Sequence, residues 1–574
     1  MNLEFHPGFI LLLGALAATV LPLVLRRAVM FLAPLLAIAA VFGLKAGTVW
    51  TLPFINNLEL LVMKVDRLSW VFALIFSIMA LLGNIYALHI KSRGESAAGL
   101  AYAGSSLGVV LAGDWITLIF FWELMAVSST LLIWYRKAPQ AISAGFRYIL
   151  VHFFGGNLLL AGIFLKISGG ESLITALTGT NDAAFWLILL GISINAAIPP
   201  LHAWLTDAYP EGTVSGSVFL SSFTTKVAVY CLIRVFPGTE LLIWAGVIMA
   251  LYGVVYAVLE NDIRRLLAYH IISQVGYMVA AVGMGTDLAL NGAVSHAFSH
   301  ILYKSLLFMG AGAVIYSTGR RKLSELGGFF REMPATVILY TIGAFSISGV
   351  PLFNGFISKS MIVSAAAYNH MPAVELLLYL ASVGTFLHTG LKLPYFMFFG
   401  PDRGIKPGKI PVNMHIAMIG GAFLCTMYGV VPSLLYQYLP YNATYEPYTL
   451  DHVVSAVQLL VATLAAFWIF IPKLGGEPTV SVDTDWFYRR PLYYLTVSLV
   501  NLVCSVRDAS GVWGNRLLAG VVPFFRNPMV LFACNGVNGS PGNYQEDKYR
   551  FPVGTTILLC IIVFAAALSY MWLA

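Results

Sequence analysis

The segment SHAFSHILYK, residues 295–304, places His296, His300 and Lys304 at intervals of four residues inside a long apolar run. On an α-helix, four residues advance about 6 Å and turn about 40° past a full circle. The three side chains therefore form one slowly winding polar stripe. Because histidine titrates in the physiological range, such a stripe suits proton transfer through interleaved water.

Two other interpretations of this stripe stay open. Histidines four residues apart on a helix can ligate a metal, although no acidic third ligand is evident in the same run. Alternatively, they are core histidines whose hydrogen bonds are satisfied by neighbouring helices.

The whole chain has the composition of a membrane protein. Of its 574 residues, 59% are hydrophobic and 10% are charged, whereas a soluble domain carries about 25% charged residues. Apolar runs of about 20 residues, each long enough to cross a bilayer, recur from end to end. We therefore predict an all-α polytopic protein of the cell (inner) membrane, with about 16 transmembrane helices. The spans start near residues 8, 29, 68, 98, 114, 142, 185, 214, 241, 266, 291, 335, 374, 413, 451 and 553.

Several function classes are disfavoured. The five cysteines are far apart and form no CxxC pair, so an iron–sulfur, zinc or c-haem site is not expected. The sequence has no GxxxxGK[ST] loop, which argues against ATP hydrolysis. The net charge of +7 comes from basic residues in short loops, and a topology signal explains it better than nucleic-acid binding does. We expect no cofactor, no metal, and no redox or ATP site on this chain.

The basic loops predict the orientation. Every cluster of lysine and arginine follows an odd-numbered span, beginning with Arg26 and Arg27 and ending with Lys473, Arg489 and Arg490. The loop of residues 432–451, which follows an even-numbered span, contains neither residue type. Because basic loops stay on the cytoplasmic side, both termini are predicted to be non-cytoplasmic.

The middle of the chain is predicted to contain two inverted repeats. Span seven is interrupted at Pro199-Pro200 and span twelve at Gly349-Val350-Pro351. Pro199 lies 76 residues after Glu123, and Pro351 lies 77 residues after Gln274. This register fits two five-helix units, residues 98–236 (spans 4–8) and 237–401 (spans 9–13). Matched interruptions in inverted repeats indicate a transport site near the membrane midplane.

The remaining regions flank these repeats. Residues 1–97 hold the N-terminal spans, residues 402–474 spans 14 and 15, and residues 553–574 the last span. Residues 475–552 mix charges, prolines and short apolar runs, and this segment is expected to be too interrupted to cross the membrane. It is either an amphipathic element along the cytoplasmic surface or an ordinary loop with short helices.

Charged residues inside the predicted spans need a reason, because each costs roughly 2.5–3.5 kcal/mol at the bilayer centre. Glu123 is central in span five, and Lys226 is central in span eight. Both are candidates for proton transfer, since burial and a neighbouring charge alter proton affinity. The alternatives are a static buried ion pair for Glu123 and a lysine that reaches the interface for Lys226.

Further basic residues extend the series. Lys359 follows the interruption of span twelve, and Lys392 lies in span thirteen, where an interfacial role is an equal alternative. Lys166 is close to the end of span six and is interpreted as interfacial. His152 is in the middle of that span, but a lone histidine is more often a satisfied core residue.

Seven motifs resemble one family. They are Asp66-Arg67-Leu68-Ser69, Trp122-Glu123-Leu124, residues 200–208 (PLHAWLTDA), 260–265 (ENDIRR), 273–277 (SQVGY), 296–304 and 349–359. Over about residues 60 to 400 the chain resembles the antiporter-like membrane subunits of respiratory complex I and the D-type subunit of multisubunit cation/proton antiporters. The part after Pro472 resembles longer relatives with an extra lateral segment and a last span.

The resemblance implies two inverted five-helix half-channels and proton translocation along a central Glu/Lys/His axis. It implies that Glu123 is the span-five glutamate, that Lys226 is the bridging lysine, and that the second half-channel contains His300, Lys304 and Lys359. It also implies that the chain works beside other membrane subunits, driven by a redox module or an ion gradient.

One position departs from the family pattern. The family has a lysine in span seven within Gly-x-x-x-Lys-Ala-Ala, where this chain has Gly191-Ile192-Ser193-Ile194-Asn195-Ala196-Ala197. Asparagine carries neither a proton nor a charge. Either Lys226 takes over as the partner of Glu123, or the first half-channel is altered or silent.

We therefore expect a proton-translocating subunit that contacts membrane lipid and exchanges protons alone or against sodium or another monovalent cation. Glu123, Lys226, His296, His300, Lys304, Lys359 and Lys392 are its candidate path. The alternatives are a stand-alone solute transporter and a structural subunit with a silent path.

Overall fold

The computed structural model describes residues 5–54, 59–475, 482–526 and 552–573. The chain forms two compact units, residues 1–483 and residues 484–574. Both are built of helices, and the first also contains a two-stranded sheet.

The N-terminal region consists of three helices and this sheet. Helices α1 (Pro7–Val20) and α2 (Leu23–Gly43) pack on each other. Strands β1 (Val49–Pro53) and β2 (Glu59–Lys64) pair antiparallel, and α3 (Arg67–Ala87) follows. Asp66 starts α3 through a reciprocal capping box with Ser69. The sheet is an element that the all-α prediction did not contain.

Three long helices follow: α4 (Arg93–Leu111), α5 (Trp115–Trp134) and α6 (Pro139–Ser168). Their starts agree with the sequence, since Ser92 and Asp114 cap α4 and α5 through their side chains and Pro139 occupies the first turn of α6. The predicted spans four to six coincide with these three helices.

The next span is interrupted as predicted. Helix α7 (Ala183–Ala196) ends at Ala197, which has a left-handed backbone with φ of 59°. The chain then passes through Pro199-Pro200 and resumes as α8 (Ala203–Ala208). Proline lacks an N–H and cannot continue the helical hydrogen bonds, which accounts for the interruption.

A second interruption lies in span eight and was not predicted. Helix α9 (Val214–Leu220) ends, and α10 (Thr224–Val235) begins after three intervening residues. Ser221 and Ser222 both donate their hydroxyl groups to the carbonyl of Val218, each at 2.8 Å. Side chains that bond to the helix backbone in this way compete with its own hydrogen bonds.

The second half of the first unit surrounds two buried helices. These are α12 (Ile263–Met284) and α13 (Asp287–Thr318), and α11 (Leu241–Leu259) packs along α12. Small residues allow this close approach: a side chain at Gly246, Gly253 or Gly276 would overlap backbone atoms of the opposite helix.

Span twelve is interrupted where the sequence predicted. Helix α14 (Pro334–Ser348) ends at Gly349, whose φ is 77°, and α15 (Asn354–Tyr368) follows. Helix α16 (Pro372–Thr385) then continues as two π-helical stretches, Phe386–Lys392 and Tyr395–Phe399. Spans seven, eight, twelve and thirteen are thus all irregular. The arrangement as two inverted repeats, residues 98–236 and 237–401, stays a prediction.

The first unit ends with α17 (Val412–Val430), α18 (Ser433–Tyr436) and α19 (Leu450–Leu474). In the second unit, a short helix α20 (Asp485–Phe487) precedes α21 (Tyr493–Arg526) and α22 (Val553–Leu573). Residues 493–526 form one helix of 34 residues rather than several short helices. That residues 475–552 lie along the membrane surface and do not cross the membrane stays a prediction. Part of that segment, residues 476–481 and 527–551, falls outside the described residues.

The helices confirm a multi-pass membrane protein. Within the described residues, 13 helical stretches are long and apolar enough to cross a membrane, including residues 485–522 of the second unit. Three shorter apolar helices, α1, α7 and α14, accompany them. The exact number of spans stays a prediction.

Candidate functional site

Four lysines lie inside the helical bundle at 5% exposure or less: Lys226, Lys304, Lys359 and Lys392. Their ammonium groups donate to carbonyls, a hydroxyl and an imidazole. Among the described ion pairs none involves Lys226, Lys304 or Lys359, whereas the charge of the Glu260 carboxylate acts on Lys392. A buried charge without an ionic partner is costly and points to a functional reason for its position.

Three of these lysines bind the C-terminal turn of a helix. Lys226 donates to the carbonyl of Ser221 at 2.6 Å, directly after α9. Lys359 donates to the carbonyl of Ile347 at 2.7 Å, in the last turn of α14. Lys392 donates to the carbonyl of Val258 at 2.5 Å, in the last turn of α11. The last carbonyls of a helix lack partners and carry the negative end of its dipole, so each can hold a cation.

Lys304 is bound differently. Its ammonium donates to Nδ1 of His270 on α12 at 3.2 Å. The other ring nitrogen of His270 lies 3.2 Å from Oγ1 of Thr385, at the end of α16. The ring of His270 also packs edge-on against His388, with centroids 4.8 Å apart. Lys304 is therefore linked through His270 to the π-helical stretch that contains Lys392.

We call Lys226, Lys304, His270, His388 and Lys392 the buried row. Its first two members are on α10 and α13, and the Ser222 and Ser305 hydroxyls beside them lie 2.9 Å apart. His388 and Lys392 share the π-helical stretch Phe386–Lys392. All five side chains are buried.

The stripe of α13 forms a branch beside this row. His296 Nδ1 lies 3.0 Å from the hydroxyl of Ser358, the residue before Lys359. Tyr303 donates to Gln274 at 3.3 Å. The His296 and His300 rings are 6.3 Å apart, and neither nitrogen of His300 has a hydrogen-bond partner among the described residues. The same residues contain no group of three or more His, Cys, Asp or Glu that is arranged to hold a metal.

A cleft begins at Lys359. It runs between α15, α16 and α19 and is lined by Lys359, Ser360, Ser364, His452 and Ser455, among others. The Ser364 hydroxyl lies 3.2 Å from both His452 Nε2 and the Tyr445 hydroxyl. The cleft thus joins a buried ammonium group to polar side chains near the loop that precedes α19.

Glu123 lies apart from the buried row. It is half-buried on α5, and Oε1 occupies the space that a side chain at Gly156 of α6 would need. Among the described residues, no hydrogen bond or ion pair connects Glu123 with Lys226. The structure therefore does not support the static ion pair that was one alternative for Glu123.

Asn195 is the second-last residue of α7, at the interruption, and is fully buried. Its amide faces His152 of α6. The two side chains interact with each other, but in the described part of the chain no hydrogen bond of good geometry reaches the amide atoms of Asn195 or the ring nitrogens of His152. Buried polar groups are nearly always satisfied, so these four atoms need an explanation.

A carboxylate that sequence reasoning missed lies beside α8. Asp483 is 3% exposed and accepts hydrogen bonds from His202 Nε2 at 3.1 Å, from Tyr269 at 2.5 Å and from Tyr252. Burial by itself would raise the pKa of Asp483, but the charge and hydrogen bond of His202 and the two tyrosine hydroxyls lower the pKa well below its usual range.

His270 and His388 were also missed as site residues. Both lie in spans, and each is a polar residue in an apolar run, which is the signal that identified the lysines. His270 lies one turn before Gln274, and both contact Thr385 more than 100 residues away. Spacing along one helix does not reveal such a contact.

These features define a multi-pass membrane protein with a buried row of titratable bases. Residues 112–387 match the model of the NADH:quinone oxidoreductase/Mrp antiporter transmembrane family. The chain belongs to this family of antiporter-like membrane subunits.

Three comparisons describe the similarity. The chain is 31% identical over 358 residues to "Uncharacterized protein MJ1309" of Methanocaldococcus jannaschii, covering 58% of this chain and 74% of that protein. It is 32% identical over 402 residues to a Rhizobium meliloti protein named as the A/B component of a probable K(+)/H(+) antiporter, covering 65% of this chain but only 40% of that protein. A chain of the Mrp complex of Dietzia sp. has the same fold, with a TM-score of 0.68, 22% identity and coverage of 81% of this chain and 99% of that chain.

Proposed function

We propose that this chain is a proton-translocating subunit of a multisubunit membrane complex, in which the buried row carries the proton. The observation that carries the proposal is the set of four buried lysines, each of which donates a hydrogen bond to a neutral carbonyl or imidazole. A lysine held by a carboxylate would leave a bare buried anion each time it lost its proton. A lysine held by a carbonyl or an imidazole leaves a neutral site, so protonation can change at lower cost.

The second half of the path runs from Lys392 to Lys359. Lys392 binds the end of α11, close in sequence to Arg264 and Arg265 in the first turn of α12, the basic cluster that predicts the cytoplasmic side. A proton taken up there passes through His388 and His270 to Lys304. The branch of His300, Tyr303 and His296 leads on to Lys359, with water between groups that are too far apart for direct transfer.

The cleft at Lys359 is the proposed route to the opposite side. Ser364, His452 and Tyr445 line up from Lys359 towards the loop of residues 432–451, which lacks lysine and arginine. Each proton therefore enters at a cytoplasmic helix end and leaves through a non-cytoplasmic cleft. In this orientation both termini are non-cytoplasmic, in the cell (inner) membrane.

The proposed function also involves partner subunits, transported ions and membrane lipid. The relatives named as antiporter components and the Mrp complex support other membrane subunits as partners and protons as the transported ion, with sodium or another monovalent cation as the ion exchanged. Large apolar side chains such as Phe154, Ile248 and Ile338 are exposed on the outside of the helices and suit contact with lipid or with such partners.

The test is proton movement driven by the complete complex in membrane vesicles. Glu123→Gln and Lys304→Ala are each expected to lower the rate by about 10-fold or more, a typical size for loss of a proton-transfer group. Lys166→Ala is the matched control, because Lys166 lies at the end of α6 and pairs with exposed Glu171. A structural subunit with a silent path would leave all three rates equal once assembly is normalised.

The solute-transporter alternative has a separate outcome. Solute uptake by liposomes that contain this chain alone, without partner subunits, would contradict the proposal. The same vesicles are expected to show no transport until the complete complex is reconstituted.

A further inference from the structure

We propose that His152 is the proton carrier of the first half of the path and that Asn195 positions its ring. This inference rests on the proposed function and concerns the place where the resemblance implies a lysine but the chain has Asn195. An amide can orient a neighbour by hydrogen bonding but cannot carry a proton. We therefore look for the proton carrier on a neighbouring helix, at the same depth in the bundle as Asn195.

His152 lies at this depth. It lies in the middle of α6 at 1% exposure, and α6 packs on α7. Gly155 allows the contact, because a side chain there would touch Ile194, the residue before Asn195. The Asn195 amide faces the His152 ring from across this contact.

The surroundings of the two side chains supply neither of them with a further hydrogen-bond partner of good geometry among the described residues. The His152 ring packs against Tyr148 and Trp204, with centroids 4.1 Å and 4.5 Å away. The indole N–H of Trp204 is already donated to the carbonyl of Ile194 at 2.8 Å. Leaving both nitrogens of His152 and both polar atoms of Asn195 without good hydrogen bonds would be costly in the interior. Water that bridges the two side chains removes this cost and also provides a route for protons.

On one side, His152 is near Glu123. The Glu123 carboxylate fills the space above Gly156, and Gly156 lies four residues after His152 on the same face of α6. These four residues advance the helix by about 6 Å, which is therefore the separation of the two side chains along its axis. A water chain of one or two molecules can connect the carboxylate with the imidazole.

On the other side, hydroxyl groups lead to Lys226. Tyr148 lies one turn before His152 on α6, donates to Ser129 at 2.9 Å and faces Thr224. Thr224 lies 2.6 Å from Tyr102 at the start of α10. The next residue, Thr225, accepts from the ammonium group of Lys226 at 3.1 Å.

The proton balance of this route is simple. The Glu123 carboxyl gives its proton to one nitrogen of His152, and the proton bound at the other nitrogen passes on towards Tyr148 and Lys226. The ring is then neutral again, with its proton on the nitrogen that received it from Glu123. Rotation of the ring restores the starting arrangement, and the Glu123 carboxylate takes up the next proton. Asn195 touches the ring and acts through it, so it is a positioning residue.

The experiment is a double-mutant cycle in the complete complex, with the proton-transport rate normalised to assembled complex. His152→Gln is expected to lower the rate by about 10-fold or more. Asn195→Lys supplies a titratable group, so His152→Gln is expected to cost less than about 2-fold in that background. An equal loss in both backgrounds would overturn the proposal, because a structural defect at His152 is not repaired by a lysine on α7.

Two controls separate this inference from the proposed function. If Glu123→Gln and Lys304→Ala lose transport while His152→Gln keeps it, His152 is a core residue and only this inference fails. If none of the three loses transport, the proposed function itself fails. Should His152→Gln not assemble, Tyr148→Phe removes one hydroxyl of the same route, and an unchanged rate would overturn the proposal.

Discussion

At the scale of single residues, the manner in which the buried lysines are held determines what they can do. Lys226, Lys359 and Lys392 bind carbonyls of the last helical turn or the residue directly after it, and Lys304 binds an imidazole. These partners stabilise an ammonium group but remain neutral when the proton leaves. The groups that hold these lysines can therefore accept a moving positive charge without becoming charged themselves.

His270 is expected to be as important as the lysine it binds. His270→Leu removes the only described side-chain acceptor of Lys304 and should lower proton transport to the level of Lys304→Ala, about 10-fold or more below wild type. His415→Leu is the control, since His415 is half-buried on α17 and contacts only Thr336 in the described hydrogen bonds. Wild-type transport in His270→Leu would contradict this role.

The sequence allowed the buried lysines to be predicted, because a charge within an apolar run is visible without a structure. It did not reveal the contacts that give them a function. His270 meets Thr385 115 residues later, and His202 meets Asp483 281 residues later. Such pairs depend on which helices become neighbours, and no local pattern in a single sequence specifies that.

At the scale of elements, interruptions of the helices produce the binding groups. Pro199-Pro200 and Gly349-Val350-Pro351 identified two of them from the sequence. The interruption between α9 and α10 and the π-helical stretch after α16 contain neither a proline pair nor a glycine at the point where the helix changes. They depend on tertiary contacts and on serine side chains that bond back to the helix, so they were not predicted.

The contact of α11 with α12 depends on glycine. Gly253→Leu would place a side chain on the backbone of Tyr269 and Ser273, and overpacking of this kind costs about 1–3 kcal/mol or more. We expect a clearly lower melting temperature of the complex in detergent. Gly43→Leu is the control, because a side chain there meets no atom within 4 Å. Equal melting temperatures for the two variants would contradict the packing described.

Asp483 is expected to stabilise the connection after α19. Asp483→Ala leaves His202, Tyr252 and Tyr269 without this acceptor, at about 1–3 kcal/mol for each buried group. Asp483→Asn keeps the shape and one acceptor oxygen and should cost less. The measurement is the melting temperature of each variant at several pH values.

The pH dependence of this effect has a defined sign. The folded pKa of Asp483 is lowered, so its contribution is present above the unfolded pKa of roughly 3.9 and is lost as the pH falls through the folded pKa. The difference between wild type and Asp483→Asn should therefore stay constant from about pH 7 to pH 5 and shrink only below about pH 4. A difference that disappears between pH 7 and pH 5 would contradict the lowered pKa.

At the scale of the whole molecule, apolar side chains form both the core and much of the surface, and the buried polar groups lie within this apolar core. The centre of the bundle holds the buried row, whereas residues such as Phe154 and Ile338 are exposed at 60% and 62%. The hydrophobic composition was sufficient to predict a membrane protein, and the apolar runs were sufficient to predict most helix positions. It did not predict the sheet before α3 or the continuous helix α21.

The proposed orientation can be tested by labelling. In a cysteine-free background, Asn442→Cys is expected to react with a membrane-impermeant maleimide added to intact cells, because the loop before α19 is proposed to be non-cytoplasmic. Lys406→Cys, in the basic loop before α17, should react only after the membrane is opened. The opposite pattern would invert the proposed direction of the path.

The central claim is that the buried row forms one path in series. Its most direct test is the proton flux of the purified, reconstituted complex carrying Lys392→Ala, Lys304→Ala or both. The account predicts that each single variant loses about 10-fold or more and that the double variant loses little more than either single one, since one gap already blocks a series path. Flux that persists in Lys304→Ala, or losses that multiply in the double variant, would contradict it.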